Sequence, residues 1–215
     1  MYKISELFDL SHTVAAELFA GKVYPWEVLD SIKAFILKLG ASLPGDEFYS
    51  PSEGVWIAKD AVVFPSAYIG APCVIDHGAE VRHCAFIRGS AIVGKNCVVG
   101  NSVELKNVVL FDNVQVPHYN YVGDSILGYK AHMGAGSITS NVKSDRSLVV
   151  VKAEDEKIPT GRKKFGAMIG DGVEVGCNSV LNPGTVVGRN SNIYPVSMVR
   201  GVIPADCIYK AEGDI

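Results

Sequence analysis

Hydrophobic residues fall along this chain in two rhythms, with the change near residue 45. In the first stretch Ile4, Leu7, Phe8, Leu10, Val14, Leu18 and Phe19 recur at steps of roughly three and four. After a break over residues 21–25 the same spacing returns at Val28, Ile32, Phe35, Ile36 and Leu39. That period puts apolar side chains on one face of a helix, so it predicts two amphipathic helices, a hairpin over residues 1–46. Gly40 fits a C-terminal stop and Pro44-Gly45 a turn. A hairpin with one apolar stripe cannot bury it alone, so it is expected to dock on the remaining body or on a partner. Packing, rather than chemistry, is its expected role.

From Ile57 the step becomes six. Positions 57, 63, 69, 75, 81, 87, 93, 99 and 105 are all Ile, Val or Leu. The residue four after each is nearly always small, as at Ala61, Ala67, Cys73, Ala79, Ala85, Ala91 and Cys97. The register slips by one after Leu105, to Leu110, Val116, Val122, Leu127 and Met133, and the six-step returns from Ile169 through Val199. A hexapeptide repeat predicts a parallel β-helix. Each hexad supplies a short strand and a corner, and the aliphatic residue points into a narrow prism. The small residue lets the next corner close, while Gly or Asn takes unusual backbone angles there. Three hexads make one triangular coil, so residues 18 apart stack on one face. The prism is expected over residues 47–215. Residues 142–168 abandon the hexad and read as a hairpin or excursion with a basic return strand; such excursions commonly serve as lids or interface arms.

Composition narrows the function classes. The 215 residues are 48% hydrophobic and 20% charged, which suits one well-buried core with an appendage and excludes disorder. Lys+Arg (20) fall short of Asp+Glu (23), so no nucleic-acid footprint is expected. No apolar run reaches the ~18 residues of a membrane span. Residues 1–6 hold an acid and no apolar leader, so no signal peptide is expected. Five cysteines without paired spacing suit a reducing compartment, and Cys73 and Cys97 read as interior packing thiols. A cytoplasmic location is the expectation.

The register also sorts the charged residues. Arg88 follows Ile87 and Lys106 follows Leu105, so the two cations stack on one face. Like charges held a coil apart repel unless solvent screens them or an anion bridges them. Two solvated cations are the plain reading; a phosphate held by a planar fork and a point charge is the sharper one. His118 and Tyr121 fall within about one coil of Lys106, which makes His118 a candidate general base, although a lone His is more often structural. The small, glycine-rich run 134–141 allows close backbone approach but lacks the Gly-Lys-Ser/Thr of a phosphate loop.

Val103-Glu104-Leu105-Lys106, His118, Tyr121-Val122-Gly123-Asp124, Gly134-Ala135-Gly136 and Asn141 together resemble a known family. They are similar to the left-handed β-helix acetyltransferase domain of GlmU-type glucosamine-1-phosphate acetyltransferase/N-acetylglucosamine-1-phosphate uridyltransferases. Residues 160–166 ahead of Ile169-Gly170-Asp171 add a likeness to archaeal-type sugar-1-phosphate nucleotidylyltransferases carrying the same module, and the match runs roughly from 55 to 205. The resemblance implies an all-β fold, a left-handed parallel β-helix of hexapeptide repeats with an N-terminal helical hairpin. It implies acetyl-CoA as co-substrate, no metal, an amino-sugar phosphate such as glucosamine 1-phosphate as acceptor, and a homotrimer with sites between subunits.

In that family pattern His118 matches the base, and Arg88, Lys106 and Tyr121 match the phosphate-holding residues, with Lys164 able to reach the same phosphate. His132 stands where the family has a substrate-binding Asn. Ala135, Asn141 and Val142 match the acetyl-CoA lining, and Cys177 (in place of a Ser) and Pro195 continue that wall. Backbone N–H groups of 134–136 are the expected oxyanion donors. The glycine-rich nucleotidyltransferase loop is missing, and the first 45 residues read as the hairpin instead, so acetyl rather than nucleotidyl transfer is expected. Two rivals stand beside this reading. One is a non-catalytic trimeric scaffold; the other is a γ-class carbonic anhydrase, for which His83 and His118 lack their third histidine.

Overall fold

The structure, a computed structural model, describes residues 1–210; the last five positions of the expected prism, 211–215, lie outside the described residues. The chain forms the all-β fold that its hexads predict, a left-handed parallel β-helix with a small helical head. Short parallel strands stack into three faces. The first face begins with Val55–Ala58, Cys73–Ile75 and Ala91–Val93 and ends with Thr185–Val187 and Val202–Ile203. The second holds eight strands from Val62–Val63 to Ile208–Tyr209. The third runs from Tyr68–Ile69 through Phe86–Ile87 to Met198–Val199. The hexad aliphatics Ile75, Val81, Ile87, Val93, Val99 and Leu105 all point inward with no exposed surface.

The slip in register is a corner with a residue missing. Glu104–Leu110 and Tyr121–Leu127 pass from the third face to the first without interruption, pairing with each other residue by residue. The turn falls at Asn107 (φ +55°) and Asp124 (φ +48°), and the aliphatic step there shortens from six to five. Asn and Asp tolerate the left-handed region better than other residues with a Cβ, which suits them to this tight corner.

The outward-facing rows give the three faces different characters. On the first face the register aligns Val74, Ile92, Val109, Ile126, Met168 and Val186, all apolar and fully buried. This row is what the head covers. The second face is mostly polar, with Gln115, His132, Glu174 and Asn192 in register. The third face carries Tyr68, Phe86, Glu104, Tyr121, Ile138, Val180 and Met198, of which Tyr68 is 61% exposed and Met198 52%.

The head departs from the expected hairpin in its first arm. In place of one helix it has a single α-turn at Ile4–Leu7 and three 3₁₀ turns, at Leu10–His12, Ala16–Phe19 and Pro25–Val28. Local side chains compete for the helical donors: the Asp9 carboxylate accepts from the Ser11 N–H, and the Thr13 hydroxyl from the Ala15 N–H. The second arm is a helix, Ile32–Ser42, which continues past the expected stop at Gly40. Gly40 serves close approach instead, since a Cβ there would lie 2.3 Å from the Trp56 ring. Phe8 packs tilted and Phe19 edge-on against Phe111, and Trp26 meets Phe165, so head and prism share one continuous core.

The excursion leaves at Asn141 and returns at Phe165, whose N–H donates to the Asn141 carbonyl. Between them Val150–Lys152 and Lys157–Pro159 pair antiparallel, and Val142 bridges Lys164. Buried Val149 and Val151 lay this hairpin against the later coils, where Val149 fills the space a side chain at Gly184 would need. Among the described residues no helix is long and apolar enough to cross a membrane.

Candidate active site

The third face brings Arg88, Lys106 and Tyr121 together. Leu105 pairs with Ile87 below and Val122 above, so Arg88 and Lys106 stack on consecutive coils and Tyr121 lies one coil further, beside Glu104. The repulsion anticipated between the two cations does not require a bridging anion, because each has its own carboxylate. An Arg88 guanidinium nitrogen donates to Glu104 Oε1 at 2.8 Å, a hydrogen bond that raises the already high Arg88 pKa. Lys106 Nζ lies 2.8 and 3.0 Å from the two Asp124 oxygens. A phosphate arriving here would share these cations with carboxylates already in place.

Asp124 is the residue the sequence reading passed over. Its side chain is only 5% exposed, and besides Lys106 it accepts from the Asn107 amide at 2.9 Å and from the Asn141 amide. The register pairs Lys106 with Gly123, so Asp124 stands one residue off the stack, at the corner above Asn107, where the six-residue period alone does not point to it. Tyr121 is half-buried beside the same group. Burial raises its pKa, helped by the charges of Asp124 and Glu104 and opposed by Asn141 and Arg88, so the phenol stays protonated at neutral pH and can donate. Its hydroxyl lies over Gly123, where a Cβ would approach it to 2.5 Å.

His118 ends the strand Gln115–His118 at the corner between the second and third faces, and its side chain is exposed. The coil register stacks Ala135, Cys177 and Pro195 above it. Backbone bonds follow the same column: Gly136 N–H donates to His118 O, Asn178 N–H to Ala135 O, and Val196 N–H to Cys177 O. With about 4.8 Å per coil, this column extends roughly 14 Å along the prism, the dimension of an elongated ligand. Of the expected oxyanion donors, Gly134 N–H is taken by Val175 O and Gly136 N–H by His118 O. Among the described residues Ala135 N–H, directly above His118, has no internal acceptor.

The other candidate residues separate. Asn141 and Val142 lie at the opposite edge of the third face. Asn141 joins the Asp124 network, and Val142 lines a cavity of about 640 Å³ against the excursion with Lys143, Lys152 and Arg200. Lys164 lies on the return segment and shares a second cavity with Lys106. His132 stands on the second face directly above Gln115, its Nδ1 2.6 Å from Glu174 Oε2. Within one chain the structure does not bring His132 to the third face. Glu104, Asn107 and Asp124 are the site residues that sequence reasoning left out.

Comparisons with known proteins show what the whole chain is similar to. A family described as the GMPPB C-terminal domain matches residues 69–159. The bifunctional protein GlmU of Methanococcus maripaludis (strain C5) is 36% identical over 88% of this chain and 46% of its own length. A bifunctional sugar-1-phosphate nucleotidylyltransferase/acetyltransferase of Sulfurisphaera tokodaii is 33% identical over 82% of this chain and 45% of its own. The chain thus spans about half the length of these curated relatives. Among solved structures, the acetyltransferase domain of PglB from Neisseria gonorrhoeae, in complex with acetyl coenzyme A, aligns at 19% identity over 74% of this chain and 54% of that one, with a TM-score of 0.35. By its repeats, its prism and its curated relatives, the chain is similar to the hexapeptide-repeat acetyltransferase domain of GlmU-type proteins.

Proposed function

We propose that this chain is an acetyl-CoA-dependent N-acetyltransferase acting on an amino-sugar phosphate, most simply glucosamine 1-phosphate. The observation that carries the reading is the corner column of His118, Ala135, Cys177 and Pro195 beside the third-face set of Arg88, Lys106 and Tyr121. The column suits the extended thioester, and the set across the face suits the sugar phosphate. In this mechanism the acceptor nitrogen attacks the thioester carbonyl carbon while His118 takes its proton. The oxyanion that forms accepts from Ala135 N–H. The C–S bond then breaks, and the departing thiolate recovers the proton. Arg88, Lys106 and the Tyr121 phenol hold the phosphate, so their contribution is orientation.

The partner in this reading is a second copy of the chain, in a homotrimer. Tyr68 and Phe86 near one end and Met198 near the other are exposed on the third face beside the site, which neither head nor excursion covers. A neighbouring copy seated there would cover those side chains and close the open side of the His118 column.

The test is thiol release from acetyl-CoA with glucosamine 1-phosphate, galactosamine 1-phosphate and the free amino sugars, for the native chain and His118→Ala. The expected outcome is release that needs the sugar phosphate and falls ~10²–10⁴-fold in the variant. Undiminished release in the variant would remove His118 as the base. Absence of both release and acetyl-CoA binding would favour the scaffold reading.

A further inference from the structure

A second groove opens beyond the tight corner, where three segments distant in sequence meet. The head supplies Asp30 and Lys33, the corner supplies Lys106 and Asp124, and the return segment supplies Arg162, Lys163 and Lys164, around a cavity of about 470 Å³. Both carboxylates are already engaged. Asp30 pairs with Arg162 at 2.6 Å, and Asp124 with Lys106 at 2.8 Å. Lys33, Lys163 and Lys164 have no ion pair or side-chain hydrogen bond among the described residues. Three unpaired ammonium groups therefore face one cavity in a chain whose net charge is −3. A generally basic surface does not account for that concentration, and bringing the three together is unfavourable until an anion enters.

The groove is also built in advance. The Arg162–Asp30 pair ties the return segment to the head, and Phe165 on Trp26 anchors it from beneath, with ring centroids 5.7 Å apart. Gly161 and the Arg162, Lys163 and Lys164 that follow it are thus held over the head instead of trailing in solvent.

We propose that this groove binds a diphosphate group, of the kind carried by a nucleoside diphosphate, with Lys33, Lys163 and Lys164 as its phosphate contacts. A sugar monophosphate is already provided for by Arg88, Lys106 and Tyr121. Lys33 and Lys163 add two cations beyond that set, and together with Lys164, which can also reach the sugar phosphate, they match the two or three charges of a diphosphate. The volume also falls within the range of sites for nucleotide-sized ligands. The proposal stands on charge and cavity shape, apart from the acetyl transfer proposed above. Lys106 lies on the wall between the two sites, so a diphosphate in the groove has two sources: the nucleotide portion of the acceptor, which stays attached during acetyl transfer, or a separate nucleotide that acts on turnover.

The experiment titrates the full chain with inorganic pyrophosphate, UDP and inorganic phosphate by calorimetry, with the Lys33→Ala/Lys163→Ala double variant alongside. Both side chains are exposed and unpaired, so the variant is expected to keep the native unfolding midpoint and its acetyl-CoA binding. Pyrophosphate and UDP should bind at least ~10-fold more tightly than phosphate and lose at least ~10-fold in the variant, since each lost charge contact weakens a charge-assisted bond. No binding of either probe, or equal binding by the variant, would overturn the proposal. UDP-glucosamine then separates the sources. Its acetylation, lost in the double variant, identifies the acceptor; a change in glucosamine 1-phosphate turnover on adding UDP identifies the regulator.

Discussion

Asp124 gathers more of the site than any other side chain: it is buried, holds Lys106, Asn107 and Asn141, and raises the Tyr121 pKa. Removing one member of a buried ion pair leaves the other uncompensated, so Asp124→Ala should lower stability by about 3 kcal/mol. Asp30→Ala, which removes a carboxylate that is 85% exposed, should cost under about 1 kcal/mol although its pair with Arg162 is shorter. Denaturant unfolding of both variants checks the ordering, and equal costs would show that burial does not govern these pairs. Gly123→Ala tests the phenol. The added methyl would push the Tyr121 hydroxyl aside, so KM for the sugar phosphate should rise several-fold with kcat and the unfolding midpoint little changed. An unchanged KM would remove Tyr121 from the phosphate contacts. His118, Arg88, Lys106 and Tyr121 were legible because stacking follows from the six-residue period. Glu104 and Asp124 were not picked out, because ion pairing between neighbouring coils depends on side-chain direction as well as register.

The N-terminal end of the prism is closed by the strand Phe48–Ser52, which pairs antiparallel with Val55–Ala58, and His77 clamps it. His77 Nδ1 lies 2.9 Å from Asp60 Oδ1 and Nε2 3.3 Å from Glu47 Oε2, with Phe48 edge-on to the ring. Burial pulls the His77 pKa down, but the Asp60 hydrogen bond, the charges of Asp60 and Asp76 and the Glu47 hydrogen bond outweigh it and leave the pKa raised. A raised folded-state pKa means stability that is fully present below the unfolded value, near 6.5, and lost as pH rises through the folded one. The unfolding midpoint should therefore fall as pH climbs above 6.5, and His77→Gln should flatten that part of the profile; parallel profiles would remove His77 as the clamp. The head was half legible for a related reason. Its apolar spacing is real, but Asp9, Ser11 and Thr13 divert the backbone of the first arm into 3₁₀ turns. Where it docks was written in the first-face strands, whose outward Val74, Ile92, Val109, Ile126 and Met168 are as apolar as their inward neighbours.

Three faces with three surfaces give the molecule its polarity. The first is sealed by head and excursion, the second meets solvent with polar residues, and the third exposes aromatic and aliphatic side chains next to His118. Patches of that kind on a small domain mark association sites. Light scattering should give three times the 23.0 kDa chain mass for the native protein, and Phe86→Glu should shift it toward the single-chain mass with loss of thiol release. A native protein that stays monomeric at micromolar concentration, or a variant that stays trimeric, would count against this face as the interface.

The prism, its register, the stacking of Arg88 under Lys106 and the nearness of His118 and Tyr121 were determined by the sequence alone. A six-residue period leaves the chain one regular way to bury its aliphatics, and every coil inherits the positions of the last. The broken first arm of the head, Gly40 against Trp56, the carboxylates that neutralise Arg88 and Lys106, and the groove shared by residues 30–33, 106 and 162–164 arise only in the folded molecule. Each depends on contact between segments that no period relates, so their meeting is decided by packing of the head and excursion on the first face.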